Sequence, residues 1–358
     1  MSRLGSVGAR LYHGESSIDF VGKRRLWYSI SGIILIVVVA GLGLRGLNLG
    51  IEFKGGAEFQ LKSASASVET AREAATSAGQ ADAIVTLIGG DRVRVQTGAI
   101  SDTTSEQVAA SLAKAFNVPT TEVKVQLVGP TWGGDITGKA LQGLVVFILL
   151  VILFLALYFE WKMAIAAIVA LVHDLVITIG VYALVGFEVT PATVIGILTI
   201  LGYSLYDTVV VFDKVKENTR GIAGQSRRTY SGAANLALNQ TLVRSINTSL
   251  VAILPVAAIL AIGAGVLGAG TLKDLALALF VGMIAGTYSS IFVATPVLAQ
   301  LKESEPAMKA VAKRVSQRGG ESTEVSVGTA ATVTKGGSAH VQSTGARVQP
   351  KRQPRRKR

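Results

Sequence analysis

The sequence predicts an α-helical polytopic membrane protein with six transmembrane helices and a ferredoxin-like α+β extracytoplasmic domain between helices one and two. Half of the 358 residues are hydrophobic, only 16% are charged, and the mean hydropathy is +0.48, whereas a soluble domain of this length carries more charge on its surface. The apolar residues fall in long runs with the charges between them. Six runs reach roughly the 20 residues that a helix needs to cross a bilayer core of about 30 Å.

The six predicted transmembrane helices lie at 26–44, 140–159, 163–185, 192–212, 242–262 and 275–300. The first run is longer than the apolar core of a usual signal peptide, and no clear small-residue cleavage site follows it, so we interpret it as a retained span. Thr190 and Pro191 precede the fourth run. This pair favours a helix that begins with Thr190 as N-cap and Pro191 at the first helical position.

The distribution of Lys and Arg predicts the orientation, because short cytoplasmic segments carry an excess of these residues. The N-terminal arm, 1–25, and the loop at 213–241 carry five each, and the turn at 186–191 carries none. We therefore expect both termini on the cytoplasmic side of the membrane. The region 45–139 then lies outside, where long segments are exempt from this charge bias.

The outer region, 45–139, has the patterns of a small folded domain. In order, the predicted elements are a strand at 51–61, a helix at 67–78, a hairpin of strands at 83–88 and 92–96, a helix opened by a capping box of Thr103 and Glu106, and a strand at 122–128. Strands are indicated by alternating apolar residues and helices by apolar positions three and four apart. The order βαββαβ is that of the ferredoxin-like split unit.

The net charge of +12 does not indicate a nucleic-acid-binding domain, because 13 of the 35 Lys and Arg follow Leu301. The segment 301–358 is rich in small and polar residues with almost no periodic apolar content, which predicts a disordered basic cytoplasmic tail. Its final residues are strongly basic. Two interpretations stay open, a solvated arm near anionic lipid and a specific contact with the ribosome or another partner.

The chain has no pattern that predicts an enzyme, a metal site or an organic cofactor. It contains no cysteine, which excludes disulfides, thiolate catalysis and cysteine-ligated metals. Residues 133–140 come close to a phosphate-binding loop, but Ala140 replaces the hydroxyl residue that would hold magnesium, and the segment is predicted to lie on the outer side. We therefore expect no catalytic residue.

Ionisable side chains inside predicted spans are costly and are candidates for function. His173 and Asp174 lie mid-way through the third span, Asp207 lies in the fourth, and Arg244 opens the fifth. A rise of 1.5 Å per residue puts Asp207 and Arg244 at similar depths on antiparallel helices. An Asp–Arg pair at this depth could neutralise itself when closed, and take or release a proton when separated.

For each of these groups a purely structural role stays open as an alternative. Arg244 can extend to the interface, Asp207 can be a structural hydrogen-bonded acid, and His173 with Asp174 can form a satisfied polar pair between helices. Further predicted site residues are Asn247 and Thr248 on the Arg244 face, the juxtamembrane Asp213, and Gly282 with Gly286, a GxxxG helix-packing motif.

At these residues the chain resembles the SecD/SecF family of the resistance-nodulation-division superfamily. The segment GYSLYDTVVVFD at 202–213, centred on Asp207, resembles the family's long fourth-span motif. Further resemblances are VGP at 128–130, His173-Asp174, TLVRS at 241–245, and GIEFKGG at 50–56 with its motif glycines Gly55 and Gly56. Glu52 stands where the family commonly has Asp. The resemblance covers roughly residues 18–300 and leaves the tail out.

The resemblance implies a protein-export subunit of the bacterial cytoplasmic (inner) membrane. It implies a heterodimer with SecD that uses the proton motive force to complete the export of unfolded preproteins through SecYEG, with YajC as a further candidate partner. Protons would be the coupling ion. By motif, Asp207 and Arg244 become the proton-coupling pair, facing a carboxylate of SecD, and His173 and Asp174 become supporting residues.

Two other functions remain as alternatives. A small-molecule exporter of the same superfamily usually carries twelve spans and large duplicated outer domains, and this chain is predicted to have half of each. An intramembrane aspartyl protease could use Asp174 and Asp207, because Tyr206-Asp207 resembles the Tyr-Asp motif of that class. Its companion GxGD motif is absent from the sequence.

Overall fold

A computed structural model describes residues 17–264 and 270–317, and its first helix, α1 (Arg24–Arg45), is followed by a small α+β domain. The elements after α1 are β1 (Asn48–Leu49), α2 (Ile51–Lys54), β2 (Gly56–Lys62), α3 (Val68–Ser77), β3 (Ile84–Ile88), β4 (Arg92–Thr97), α4 (Asp102–Ala115) and β5 (Lys124–Val128). The chain then forms α5 (Pro130–Tyr158), α6 (Trp161–Val185), β6 (Glu188–Val189), α7 (Pro191–Asn218), α8 (Tyr230–Ala258), α9 (Gly270–Ser289), α10 (Thr295–Glu303) and α11 (Pro306–Gln317).

Within the described residues, six helical segments are long and apolar enough to cross a membrane, which confirms the predicted fold class. They are α1, α5, α6, α7, α8 and the run of α9 and α10. Turns of π-helix follow α8 at Ile259–Ala264 and join α9 to α10 at Ser290–Ala294. Thr190 caps α7 in a capping box with Thr193, and Pro191 takes the first helical position, as predicted.

Several helices are longer than the predicted spans, because hydropathy finds the apolar part of a helix and not its caps. The helix α5 begins at Pro130 and not near 140, and α8 begins at Tyr230 and not near 242. The Thr229 hydroxyl accepts a hydrogen bond from the Gly232 N–H and caps α8. The predicted loop at 213–241 therefore consists largely of two helix ends joined by a short connection.

The outer sheet is antiparallel throughout, with the strand order β3-β4-β2-β5. The helices α3 and α4 cover one face, and the core between them and the sheet includes the fully buried side chains of Phe59, Val93, Val95, Val108 and Leu112. The small α+β domain is thus present. The ferredoxin-like assignment stays a prediction.

Two predictions for this domain were wrong in detail. The first strand was predicted from residue 51, but 51–54 form the short helix α2, and the strand begins at Gly56. Gly55 and Gly56 have φ angles of 76° and 150°, which break the strand in a way that glycine tolerates best. In α4 the N-cap is Ser101, whose side chain accepts from the Thr104 N–H, and not a capping box of Thr103 and Glu106.

The predicted disorder of 301–358 was wrong for its first part, because 301–317 complete α10 and form α11. Val311 of α11 is fully buried, and Met308 and Val315 pack beside it against the membrane-spanning core. The Lys162 ammonium donates to the Leu301 carbonyl at 2.7 Å and pairs with Glu305 at 3.1 Å, which fixes the connection between the two helices. Residues 1–16 of the arm and 318–358 of the tail lie outside the described residues.

Candidate functional site

Two carboxyl groups are buried in the middle of the helical bundle, Asp174 on α6 and Asp207 on α7. Their exposed fractions are 0% and 4%. Burying a carboxylate is costly unless its oxygens are hydrogen-bonded. Each acid has a serine donor on a neighbouring helix: the Ser204 hydroxyl of α7 donates to Asp174 Oδ2 at 2.5 Å, and the Ser245 hydroxyl of α8 donates to Asp207 Oδ2 at 2.6 Å.

The helix α7 links the two acids, because it carries both Asp207 and the donor to Asp174. Ser204 and Asp207 are three residues apart and therefore lie on neighbouring positions of one helical face. Among the described residues, no Lys or Arg lies within ion-pair distance of either carboxyl group. A hydroxyl can donate to a carboxylate and can also accept from a protonated acid. Both protonation states can thus keep the same partner.

His173 adds a third titratable group to this region. Its Nδ1 lies 3.3 Å from Asp174 Oδ1, so these adjacent residues contact each other although a helix turns their side chains about 100° apart. The imidazole stacks on Tyr288 of α9 with ring centroids 6.0 Å apart. Its other nitrogen, Nε2, is buried and has no hydrogen-bond partner among the described residues.

The predicted partner of Asp207, Arg244, is close enough for its charge to act on the acid, but the two side chains form no ion pair within the described residues. Arg244 and Asn247 are exposed, and Thr248 donates to the Arg244 carbonyl within its own helix. Ser245, the next residue, is the one that points inward to Asp207. The role of Arg244 in proton coupling therefore stays a prediction, and in this chain alone its guanidinium does not contact the acid directly.

Sequence reasoning missed the hydroxyl groups that surround the acids. Besides Ser204 and Ser245, a second set lies where α7, α8 and the last span meet: Thr208 donates to Ser290 at 3.3 Å, Thr287 donates to Ser249 at 2.7 Å, and Tyr203 donates to Ser249 at 3.4 Å. Ser290 begins the π-helical turn at Ser290–Ala294, a distortion that is frequent at functional sites. The available signal was that Tyr203, Ser204 and Thr208 lie within the motif at 202–213 and Ser245 within 241–245; Ser249, Thr287 and Ser290 lie in neither segment.

The predicted packing glycines bring α9 close to α7. A Cβ atom on Gly286 would lie 2.8 Å from the Ser204 Cβ, and one on Gly282 would collide with Ile200. The missing side chains therefore allow Ser204 to take its place between α9 and Asp174. The juxtamembrane Asp213 is exposed near the end of α7 and is not part of the buried cluster.

The motif glycines Gly55 and Gly56 belong to the outer domain and not to the buried cluster. Gly56 sits against β4 so closely that a Cβ atom would collide with the Thr97 carbonyl oxygen. In the described residues, no group of His, Asp or Glu side chains is arranged to hold a metal ion.

The chain matches two family models and several named protein sequences. The model described as protein export membrane protein SecD/SecF, C-terminal, matches residues 107–304, and that of the SecD/SecF GG motif matches 40–66. The protein translocase subunit SecF of Streptomyces coelicolor is 57% identical over 316 residues, which cover 88% of this chain and 85% of that protein. The subunit of the same name from Mycobacterium tuberculosis strain H37Rv is 45% identical, with 88% and 75% covered.

Solved structures give the same result. The crystal structure of SecDF, a translocon-associated membrane protein from Thermus thermophilus, superposes with a TM-score of 0.72 at 30% identity. A structure of SecDF in a super-membrane-facing form gives a TM-score of 0.59 at 28% identity. The matches cover 80% and 84% of this chain but only 39% and 40% of those chains, so the chain spans about two fifths of their length.

Proposed function

Because this chain belongs to the SecD/SecF family of protein-export membrane proteins, we propose that it acts with SecD to use the proton motive force to complete preprotein export through SecYEG. The observation that supports this most is Asp207, a carboxyl group buried in a transmembrane helix with a serine hydroxyl as partner. Such a group is costly to place inside a membrane, and intramembrane acids are characteristic of proton relays.

The energy available from one proton fits a rearrangement of helices. Moving one elementary charge across 100 mV is worth about 2.3 kcal/mol. Ionised Asp207 is costly in the apolar bundle, and protonated Asp207 is not, so each state favours a different surrounding. Uptake from one side and release to the other would shift α7 between two arrangements. The outer domain is the part that would act on the exported, unfolded chain.

The partnership with SecD is supported by the length of the relatives. The SecDF chain of Thermus thermophilus is 30% identical to this chain over a region that makes up 41% of it. The remainder would be supplied here by a separate subunit in the bacterial cytoplasmic membrane, with both termini of this chain cytoplasmic. Exposed Arg244 would then meet a carboxylate of that subunit, and separation of this pair would accompany proton exchange at Asp207.

The proposal is tested by Asp207→Asn, which keeps the size and polarity of the side chain but cannot exchange a proton. We expect the variant to co-purify with SecD and SecYEG, and to lose the stimulation of preprotein translocation by an imposed proton gradient in reconstituted vesicles. The exposed Asp82→Asn, in the turn before β3, is the matched control and should retain that stimulation. Full stimulation in Asp207→Asn would overturn the coupling role.

The same preparations test the alternatives. Asp174 and Asp207 bind to separate serines, whereas an aspartyl protease needs two carboxyl groups that share one site. Cleavage of a membrane substrate that is lost in Asp207→Asn would favour the protease. Gradient-dependent efflux of a small molecule by the purified chain would favour an exporter.

A further inference from the structure

The outer domain is joined to the membrane bundle through Glu188, which lies in the turn between α6 and α7. The Arg94 guanidinium of β4 pairs with Glu188 Oε2 at 2.7 Å, and the Gln96 side-chain amide of the same strand donates to Glu188 Oε1 at 2.7 Å. Both carboxylate oxygens are therefore bound by the outer sheet. The side chains of Arg94 and Glu188 are only 18% and 8% exposed, so water screens this ion pair little.

The network continues into the middle of the sheet. Gln96 also donates to Glu58 Oε2 on β2 at 2.9 Å, and Arg94 lies 3.9 Å from the same carboxylate. Arg94 and Gln96 are two residues apart on β4 and so project from the same face of the sheet. This face therefore presents one cation and one amide to the turn.

Backbone pairing fixes the same turn. The strands β1 and β6 pair in parallel, with Asn48 opposite Glu188 and Leu49 opposite Val189, and the Gly50 N–H donates to the Val189 carbonyl at 2.9 Å. The segment that pairs with the turn leads directly into the outer domain.

Beside Glu188 the contact is made by polar groups. A cavity of about 250 Å³ adjoins the ion pair and is lined by Arg94, Glu188, Phe187, Lys273 and Asp274, among others. A gap of this size leaves part of the interface without close packing. On this side of the junction, docking therefore relies on the ion pair, its hydrogen bonds and the short β ladder, while elsewhere α2 packs closely on α5.

The turn that is bound in this way connects the two helices that carry the buried acids. Asp174 is on α6 and Asp207 is on α7, and a change in the position of either helix moves the residues between them. We propose that Glu188, bound by Arg94 and Gln96, is the point at which rearrangement of α6 and α7 is transmitted to the outer domain. Arg94 and Glu188 are thus positioning residues for export, an inference that rests on the proposed function.

The test measures the acid and the domain separately in the complete complex. The chain has no cysteine, so spin labels can be placed at Lys114 on exposed α4 and at Arg220 after α7, and their distance measured by double electron–electron resonance. Infrared difference spectra report the protonation of Asp207. The carboxyl band is assigned to this residue by its loss in Asp207→Asn. In the otherwise unchanged chain, a proton gradient should change both the carboxyl band and the distance distribution.

We expect Arg94→Gln to keep the gradient-dependent carboxyl band but to lose the change in distance and the stimulation of translocation. Glu188→Gln breaks the same pair from the bundle side and leaves the outer domain's sequence intact, so agreement between the two variants excludes misfolding of that domain. Arg72→Gln, on the exposed side of α3, is the matched control and should behave like the unchanged chain.

The outcomes separate the two proposals. A carboxyl band that never responds, even in the unchanged chain, would overturn the proposed function. A band and a distance that both respond in Arg94→Gln and in Glu188→Gln would overturn the transmission through this pair and leave the proposed function standing.

Discussion

At the scale of single residues, Glu52 shows how the junction between domain and bundle responds to pH. Burial raises the pKa of the Glu52 carboxyl above its ordinary value, against a hydrogen bond from its own backbone N–H; the charges of Glu188 and Glu58 raise this pKa further and that of Arg94 lowers it. One oxygen, Oε2, is buried and has no hydrogen-bond partner among the described residues. Ionised Glu52 is therefore disfavoured in the folded chain.

We predict that Glu52→Gln raises the thermal unfolding temperature of the full chain at neutral pH. Below the ordinary pKa of Glu, about 4.3, Glu52 is protonated in the folded and the unfolded chain, so the two proteins should differ little. As the pH rises from there through the raised folded-state pKa, ionisation favours the unfolded chain, and the stability of the unmodified protein falls relative to the variant. Above that range the difference becomes constant.

Thermal unfolding in detergent across this pH range measures the effect. The exposed Glu106→Gln of α4 is the control and should show no such pH-dependent gap. The prediction would be contradicted if the unfolding temperature of Glu52→Gln rose relative to that of the unmodified protein as the pH falls. That result would mean that folding stabilises the ionised carboxylate of Glu52.

The residues of the buried site were only partly predictable. Asp174, Asp207 and His173 stood out because an ionisable group within an apolar run is rare and costly. Ser204 and Ser245 did not, because serine is common in transmembrane helices and its function depends on which side chain faces it. The sequence places Arg244 and Ser245 side by side, but helix rotation decides which of them meets Asp207.

At the scale of elements, the contact between α7 and α9 depends on the absence of side chains. We predict that Gly286→Ala destabilises the bundle, because its Cβ would lie 2.8 Å from the Ser204 Cβ. Overpacking of this kind costs typically about 1–3 kcal/mol. Displacement of Ser204 should also remove the hydroxyl from Asp174 and weaken gradient-stimulated translocation.

Gly32→Ala on α1 is the matched control, because an added Cβ there meets nothing within 4 Å. It gains helix propensity of about 1 kcal/mol and should be neutral or slightly stabilising. The comparison is made by thermal unfolding and by the translocation assay. Equal stability of the two variants would show that α7 and α9 do not require close approach at this position.

The existence and type of the elements were easier to predict than their ends. Six long apolar runs gave six spans, but the first turns of α8 look like a loop because they combine polar residues with small ones, although Ala233, Ala234 and Ala237 are buried in the structure. The helix α11 was not predicted because its amphipathic pattern is short and lies within a basic segment. The alternation of apolar and polar residues from 51 to 61 predicted one strand. In the structure Gly55 and Gly56 separate the short helix α2 from the strand β2.

At the scale of the whole molecule, the outward face of α8 indicates where a second subunit belongs. On α8, exposed Leu250, Val251 and Leu254 suit lipid, but Arg244 and Asn247 are exposed on the same helix. A polar side chain that faces lipid is costly, whereas one that faces a protein partner can be hydrogen-bonded. Exposure of these two residues in the isolated chain therefore favours a partner that covers them.

We predict that a photo-crosslinking amino acid at Asn247 forms a covalent adduct with co-expressed SecD. Asn247 shares with Arg244 the face of α8 that we propose to meet a SecD carboxylate, so the probe would lie within the interface. The same probe at Ile36, which is 70% exposed on α1 among apolar neighbours, should react with lipid and give no such adduct. Immunoblotting of irradiated membranes distinguishes the two. Adducts from Ile36 but not from Asn247 would place the partner on the opposite side of the bundle and would remove the structural basis for pairing Arg244 with SecD.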